Sequence, residues 1–135
     1  AQTVRAGQDG AILAYGHMVQ TALEAAALLA EDGVHVEVVN ARFCKPLDEA
    51  FVVDLCNRHD RVVTLEDHVT VGGFGSAVLE CVAANAPVRA RVQVMGVPDE
   101  ILVHMSRGQI IEHCGLTAED VASRFRVDKD AAVPS

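Results

Sequence analysis

The side chains best suited to chemistry follow the short apolar run Val-Val-Thr-Leu that begins at residue 62. Glu66 and Asp67 are adjacent carboxylates, and His68 comes next. Neighbouring carboxylates can form an acid–base pair because their repulsion separates their pKa values. Capping of nearby backbone N–H groups, or a salt bridge to a basic residue, is the alternative role. His68 could act as a general base or a pH switch, but no GxSxG motif supplies a nucleophile for it.

A glycine turn follows these residues and leads into a helical pattern. Gly72, Gly73 and Gly75 precede Ser76, so several backbone N–H groups lie at the start of a helix, where its dipole attracts anions. The turn could therefore hold a phosphate or a carboxylate. It is not GxGxxG, and no Lys-Ser/Thr pair follows it as in a P-loop. The alternative is that the glycines let the helix pack closely against its neighbours or another chain.

Arg42 is the basic residue expected near the two carboxylates. It follows a predicted strand, and its guanidinium could bind a carboxylate as a bidentate fork. Pairing with Glu66 or Asp67 inside the domain, or across an interface, is equally open. The residues predicted to form an interface or anion-binding corner are Arg42, Glu66, Asp67, His68, Gly72, Gly73, Gly75 and Ser76.

Composition excludes several other functions. The formal net charge is -8, from 11 basic and 19 acidic residues, and the basic residues are scattered along the sequence. A nucleic-acid partner is therefore not expected. The four cysteines form no CxxC pair and the six histidines no HxxxH pair, so we predict no metal site and a reduced, cytoplasmic chain. No apolar run approaches the roughly 18 residues of a membrane span.

Alternating strand and helix patterns must position these residues. The predicted strands are Thr3–Arg5, Ala11–Tyr15, Val34–Val39, Arg61–Leu65 and Val88–Met95. The predicted helices run over His17–Asp32, from Asp48 to about His59 and from Gly75 or Ser76 to about Ala86, and two short helices follow. This alternation predicts an α/β fold, a three-layer α/β/α sandwich whose central strands end at one edge of the sheet. We expect one domain over residues 1–127 and a flexible tail over 128–135.

Helix starts are marked by capping residues. Asp48 is placed to cap the helix that follows it. Ser106 and Gln109 have the spacing of a capping box, and Thr117 and Asp120 form a similar pair.

The chain resembles the carboxyl-terminal domain of the thiamin-diphosphate-dependent transketolase superfamily over about Thr3–Arg126. The resemblance follows the order AILAYG, VEVVNARFCKPLD, RVVTLEDHVTVGGFGSAVLE and HMSRGQIIEHCGLTAEDVA. Within the superfamily it is most similar to the 1-deoxy-D-xylulose-5-phosphate synthases. The pieces most like them are Arg42–Asp48, Glu66–Ser76 and Gly115–Asp120.

The resemblance implies a mixed five-stranded sheet, with four parallel strands and a short antiparallel first strand at the edge. It also implies a three-domain parent transferase whose other two domains bind thiamin diphosphate and Mg²⁺ and contain the catalytic residues. That parent joins a two-carbon unit from pyruvate to glyceraldehyde 3-phosphate. Its expected partners are the preceding catalytic domains and a second copy, as a homodimer.

The chain alone is then expected to be inactive, with no catalytic residue and no bound cofactor or metal. It has no GDG…N motif for a diphosphate and Mg²⁺. Two alternatives are a subunit of another transketolase-like or 2-oxoacid dehydrogenase β enzyme, and a freestanding anion-binding module.

Overall fold

A five-stranded sheet forms the centre of the protein, with helices on both of its faces. The structure, a computed structural model, describes residues 1–41, 47–69, 73–97, 111 and 115–131. In chain order the described elements are β1 (Gln2–Arg5), β2 (Ala11–Ala14), α1 (Met18–Glu31), β3 (Glu37–Asn40), α2 (Glu49–Arg58), β4 (Arg61–Val69), α3 (Phe74–Ala84), β5 (Arg91–Val97) and α4 (Ala118–Ala131).

The strands are ordered β1-β3-β2-β4-β5 across the sheet. Strand β1 pairs with β3 in antiparallel orientation, whereas the β3–β2, β2–β4 and β4–β5 pairs are parallel. The mixed sheet with an antiparallel edge strand, which the resemblance implied, is therefore confirmed.

Two apolar layers cover the two faces of the sheet. Helices α1 and α4 pack on one face, against Val63, Leu65 and Met95. Helices α2 and α3 pack on the other, against Val62 and Leu13. Successive strand side chains point to opposite faces, which is why β4 supplies core residues to both layers. This arrangement confirms the predicted three-layer sandwich.

Strands β3 and β5 begin at Glu37 and Arg91, three residues after the predicted starts at positions 34 and 88. The residues before them bond to neighbouring segments instead of the sheet. The carbonyl of His35 accepts hydrogen bonds from the N–H groups of Gln8 and Asp9, both at 2.9 Å. The N–H of Ala90 donates to a carbonyl of α2 at 2.8 Å. The apolar, β-branched sequence predicted both strands correctly. The first three residues of each predicted strand, however, belong to the preceding connection.

Helix α4 continues to Ala131 and so includes residues 128–131 of the predicted tail. The tail was predicted because the sequence from Val127 onward is polar and ends in Pro-Ser, and its flexibility stays a prediction. A helix end needs no buried face when its backbone hydrogen bonds are made within the helix. Residues 132–135 lie outside the described residues, and the domain limit at position 127 stays a prediction.

Capping contacts begin two of the helices as predicted. Asp48 Oδ1 accepts the N–H of Phe51 at 3.3 Å. Thr117 Oγ1 accepts the N–H of Asp120 at 3.2 Å, and Asp120 Oδ2 accepts the N–H of Thr117 at 3.1 Å. The predicted capping box at positions 106 and 109 lies outside the described residues. In the part of the chain that the structure describes, no helix is long and apolar enough to cross a bilayer.

Candidate functional site

The three central parallel strands end side by side, as the sequence predicted. Ala14 at the end of β2 is in register with Asn40 of β3 and with Leu65 of β4. Past these pairs, the N–H of Tyr15 donates to the carbonyl of Leu65 and the N–H of Ala41 to that of Ala14, both at 2.9 Å. The residues that follow Leu65 therefore lie at this edge of the sheet.

The sequence predicted that β4 ends at Leu65, but the strand continues to Val69. Leu65 pairs with Met95 and Val69 with Val97, so four steps along β4 match two steps along β5. The register therefore shifts between these two pairs, as it does at a β-bulge. Polar residues hid this extension in the sequence. The backbones of residues 67 and 68 lie in the strand, and their side chains are outside the described residues.

The Glu66 carboxylate caps the amino end of α3. Its Oε2 accepts the N–H of Phe74 at 2.9 Å and its Oε1 accepts the N–H of Gly75 at 2.8 Å. The side chain is fully buried, with no exposed surface. Gly73 occupies the N-cap position and has no side chain to make these bonds. The capping role, one of the two alternatives considered for this residue, is therefore the one observed.

The electrostatics of this contact favour the bound carboxylate. The first N–H groups of a helix have no partner within the helix, and its amino end has a partial positive charge. A buried carboxylate is costly unless its oxygens are hydrogen-bonded, and here both oxygens accept a backbone N–H. Glu66 thus occupies two of the N–H groups that an external anion would use.

Close packing explains Gly75. A Cβ atom at this position would lie 2.5 Å from Val94 Cγ1 and 3.1 Å from Thr64 Oγ1, both on the sheet beneath α3. One position earlier, the buried ring of Phe74 stacks on Tyr15 with a centroid distance of 5.4 Å. The first turn of α3 therefore packs closely against the sheet. This agrees with the interpretation that the glycines allow close packing, at least for Gly75.

The structure brings together Glu66, Gly73 and Gly75 from the predicted corner. Ser76 lies half-buried in the first turn of α3. Arg42 and Gly72 lie outside the described residues. The corner's role in an interface or in anion binding stays a prediction.

A buried polar cluster at the opposite edge of the sheet was not predicted. Glu37 Oε1 lies 2.8 Å from an Arg58 guanidinium nitrogen and 2.9 Å from His59 Nε2, and Glu37 Oε2 accepts the Thr3 hydroxyl at 2.8 Å. Burial raises the pKa of Glu37, but the hydrogen bonds from Arg58, His59 and Thr3 outweigh it and hold the pKa below its ordinary value. The sequence did contain one signal for this cluster, which is the glutamate within the β-branched run VHVEVV.

Two described cysteines are buried thiols rather than nucleophiles. Cys56 and Cys81 are free and belong to the core beneath α2 and α3. Burial raises the pKa of Cys56 to about 11 and also raises that of Cys81. Because the thiolate is the reactive form, neither side chain is suited to nucleophilic attack at neutral pH.

Comparison with known proteins identifies the family. Residues 1–121 match the model of the transketolase C-terminal domain. The chain belongs to this family. Its fold, with Glu66 capping α3 at the carboxyl edge of the sheet, is thus a transketolase C-terminal domain.

Two proteins that are similar in sequence to this chain are both named 1-deoxy-D-xylulose-5-phosphate synthase. A 1-deoxy-D-xylulose-5-phosphate synthase of Geobacillus thermodenitrificans is 43% identical over 125 residues, which are 93% of this chain and 20% of the relative. The synthase of Desulforudis audaxviator is 42% identical over 129 residues, 96% of this chain and 20% of the relative. The chain therefore spans about a fifth of the length of these relatives.

Solved transketolase structures share the fold. A split-gene transketolase, solved as an inactive β4 tetramer, matches with a TM-score of 0.83 and 34% identity, over 93% of this chain and 41% of that one. A transketolase mutant from Pichia stipitis matches with a TM-score of 0.65 at 18% identity, which supports the fold alone.

The described residues at the amino end of α3 do not fit the diphosphate of thiamin diphosphate, the cofactor that the family implies for the parent enzyme. The amino end of α3, a natural place for a diphosphate, is bonded to the Glu66 carboxylate, which would repel one. Over the described ranges, no group of three or more His, Cys, Asp or Glu side chains could hold a metal ion.

Proposed function

We propose that this chain is the carboxyl-terminal domain of a 1-deoxy-D-xylulose-5-phosphate synthase and that it has a structural, dimer-supporting role. The observation that carries the proposal is the coverage of the match. The relative from Geobacillus thermodenitrificans aligns with 93% of this chain, yet the aligned part is only 20% of that relative. A chain of this size corresponds to one domain of a larger enzyme.

The geometry of the predicted corner supports a non-catalytic role. Its one described carboxylate, Glu66, is buried and bonded to the backbone of α3, so it is not available to a substrate. The described thiols of Cys56 and Cys81 are protonated at neutral pH for the reason given above. Glu66 and these two thiols are therefore unsuited to catalysis.

The whole enzyme would decarboxylate pyruvate and join the two-carbon unit to glyceraldehyde 3-phosphate, giving 1-deoxyxylulose 5-phosphate and CO₂. Thiamin diphosphate and Mg²⁺ would be held by the two preceding domains. These domains and a second copy of the polypeptide are the proposed partners. The free thiols of Cys56 and Cys81 support a reducing, cytoplasmic location.

A complementation experiment tests this proposal. The two catalytic domains of a similar synthase are produced without their carboxyl-terminal domain, and formation of 1-deoxyxylulose 5-phosphate is measured with and without this chain. We expect the chain alone to be inactive and to give no heat of thiamin diphosphate binding in calorimetry. We expect it to restore activity to the truncated enzyme.

The matched control is a chain carrying Glu66→Ala, which should dock less well because α3 loses its cap. Micromolar binding of thiamin diphosphate by the chain alone would contradict the proposal. So would activity of the catalytic domains that does not change when the chain is added.

A second candidate, a subunit of a split transketolase, is favoured by one structural match. The split-gene transketolase chain is matched over 41% of its own length at 34% identity. In that case, the chain would restore transketolase activity to a separate catalytic subunit but would not restore 1-deoxyxylulose 5-phosphate synthesis. The same assay with both sets of substrates distinguishes the two.

A further inference from the structure

An open groove lies beside helices α2 and α3. Its volume is about 400 Å³, and the described residues that line it are Glu49, Ala50, Val53 and Asp54 of α2 and Asn85 at the end of α3. Ala50 is exposed and Val53 is half-buried, so part of the lining is apolar surface that a partner can cover. The groove therefore combines an apolar surface with two carboxylates and one amide, a mixture typical of a binding site.

The end of α3 and the start of α2 meet at this groove. The thiol of Cys81 lies 4.0 Å from the carbonyl oxygen of Glu49, and Asn85 Nδ2 donates to the carbonyl of Cys81 at 2.8 Å. Burial and, second, the charge of Glu49 raise the pKa of Cys81, so the Glu49 carboxylate also lies near α3. Because Asn85 uses its amide nitrogen in this contact, its side-chain oxygen remains as an acceptor.

The groove has an unbalanced negative charge. Asp54 forms an ion pair with Arg58 at 2.7 Å, whereas the Glu49 carboxylate has no ion-pair or hydrogen-bond partner among the described residues. The carboxyl end of a helix adds a partial negative charge, and the last turn of α3 contains no basic residue to offset it. A cationic group is therefore the complementary ligand, and an anion would be repelled.

We propose that this groove binds a lysine side chain from the catalytic part of the parent polypeptide. The aliphatic stem of a lysine can cover the apolar surface of Ala50 and Val53. Its ammonium group carries three N–H donors, which match the carboxylates of Glu49 and Asp54 and the side-chain oxygen of Asn85. An ammonium group bonded to a carboxylate makes a charge-assisted contact, which is stronger than a neutral hydrogen bond.

The size of the relatives supports this source for the lysine. The Geobacillus thermodenitrificans synthase matches this chain over only 20% of its own length, so about four fifths of such a polypeptide lies outside this domain. Domains of one polypeptide contact one another through surfaces that are more polar than obligate interfaces. The inference therefore rests on the function proposed above. The groove is separate from the carboxyl-edge corner, for which a role at an interface is predicted.

The first test is the complementation assay with increasing concentrations of this chain. We expect Glu49→Gln to raise the concentration needed for half-maximal activity about tenfold, since a charge-assisted bond is lost. The matched control is Glu24→Gln, at an exposed position of α1 on the opposite face of the sheet, which should leave that concentration unchanged. Should Glu49→Gln fail to fold, Ala50→Arg is the second variant. It fills the groove with a guanidinium group of the domain itself, one helical turn before Asp54, and should weaken docking as much.

The second test identifies the occupant of the groove. The proposed full-length synthase is treated with a carbodiimide, which joins a carboxylate to a lysine amine with loss of water, and the products are mapped by mass spectrometry. We expect Glu49 to be joined to a lysine outside residues 1–135, and this product to be absent from Glu49→Gln. The proposal would be overturned if Glu49 formed no cross-link, or formed one only to a lysine within residues 1–135 of the same or a second copy.

The complementation assay also separates this inference from the proposed function. If activity is restored with the same half-maximal concentration by the wild type and by Glu49→Gln, the lysine groove is refuted and the proposed function stands. If the wild-type chain restores no activity, the proposed function is refuted and this inference with it.

Discussion

Glu66 is a buried charge whose only described role is to begin a helix. Its two oxygens accept the N–H groups of Phe74 and Gly75 at 2.9 and 2.8 Å. Hydrogen bonds to a charged group contribute about 1.5–3 kcal/mol each, more than neutral ones. Hydrogen bonds of this strength make Glu66 important for the stability of the carboxyl edge of the sheet.

We expect Glu66→Gln to lower the free energy of unfolding by about 3 kcal/mol. The amide oxygen can accept one N–H, but the amide nitrogen then faces the other and leaves a buried donor unsatisfied. Urea unfolding followed by circular dichroism measures the change. Glu80→Gln, on the exposed side of the same helix, should change stability by less than about 0.5 kcal/mol. Equal effects of the two substitutions would show that the cap contributes nothing.

Glu37 makes the stability of the domain depend on acid pH. Its pKa is held below the ordinary value of 4.5 in the folded chain. A carboxylate with a depressed folded pKa contributes stability above its unfolded pKa, and this contribution is lost as the pH falls through the folded pKa. We therefore expect the stability difference between the wild type and Glu37→Gln to be constant from pH 7 to about pH 5 and to shrink below it. A difference that does not change down to pH 3 would contradict this linkage.

At the scale of elements, the contact between α3 and the sheet depends on a missing side chain. A Cβ at Gly75 would lie 2.5 Å from Val94 Cγ1. Alanine in a helix is otherwise about 1 kcal/mol more favourable than glycine, so a loss of stability must come from overpacking.

We expect Gly75→Ala to destabilise the domain by about 1–3 kcal/mol. In a Val94→Ala background, the same change should cost at least about 1 kcal/mol less, because the clashing methyl groups are gone. Thermal and urea unfolding of the four variants gives this double-mutant cycle. Additive effects would mean that Gly75 is not required for this helix–sheet contact.

Local patterns in the sequence were sufficient to predict these elements, but not their long-range contacts. Apolar periodicity located the described strands and helices within a few residues, and Asp48 was identified as a cap from its position alone. The extension of β4 past Leu65 was missed because its residues are polar and its pairing is interrupted by a bulge. Nothing in the spacing from Glu66 to Phe74 indicated that the Glu66 carboxylate would accept the first N–H groups of α3.

The register of β4 and β5 shows the same limit over a longer distance. Arg61 and Arg91 are far apart in the sequence, and only the pairing of these two strands makes them partners. Such pairings depend on topology, which residue spacing alone does not reveal.

At the scale of the whole molecule, the domain's two sheet edges have different chemistry. The carboxyl edge holds a buried acidic cap and a close helix–sheet contact. The amino edge holds the buried Glu37 cluster, in which Arg58 donates to the carboxylate. In the proposed parent, we assign docking to the carboxyl edge, because the predicted interface corner lies there.

Docking through the carboxyl edge makes a prediction about assembly. In the proposed full-length synthase, deleting this domain should shift the enzyme from dimer toward monomer in analytical ultracentrifugation, because the dimer-supporting surface is lost. Introducing Glu66→Ala into the full-length enzyme should weaken the dimer at least tenfold, whereas Arg91→Gln at the opposite edge should leave it unchanged. A dimer of the same strength in the deleted enzyme would assign dimerisation to the other domains, and equal weakening by both substitutions would indicate a general loss of stability rather than a docking edge.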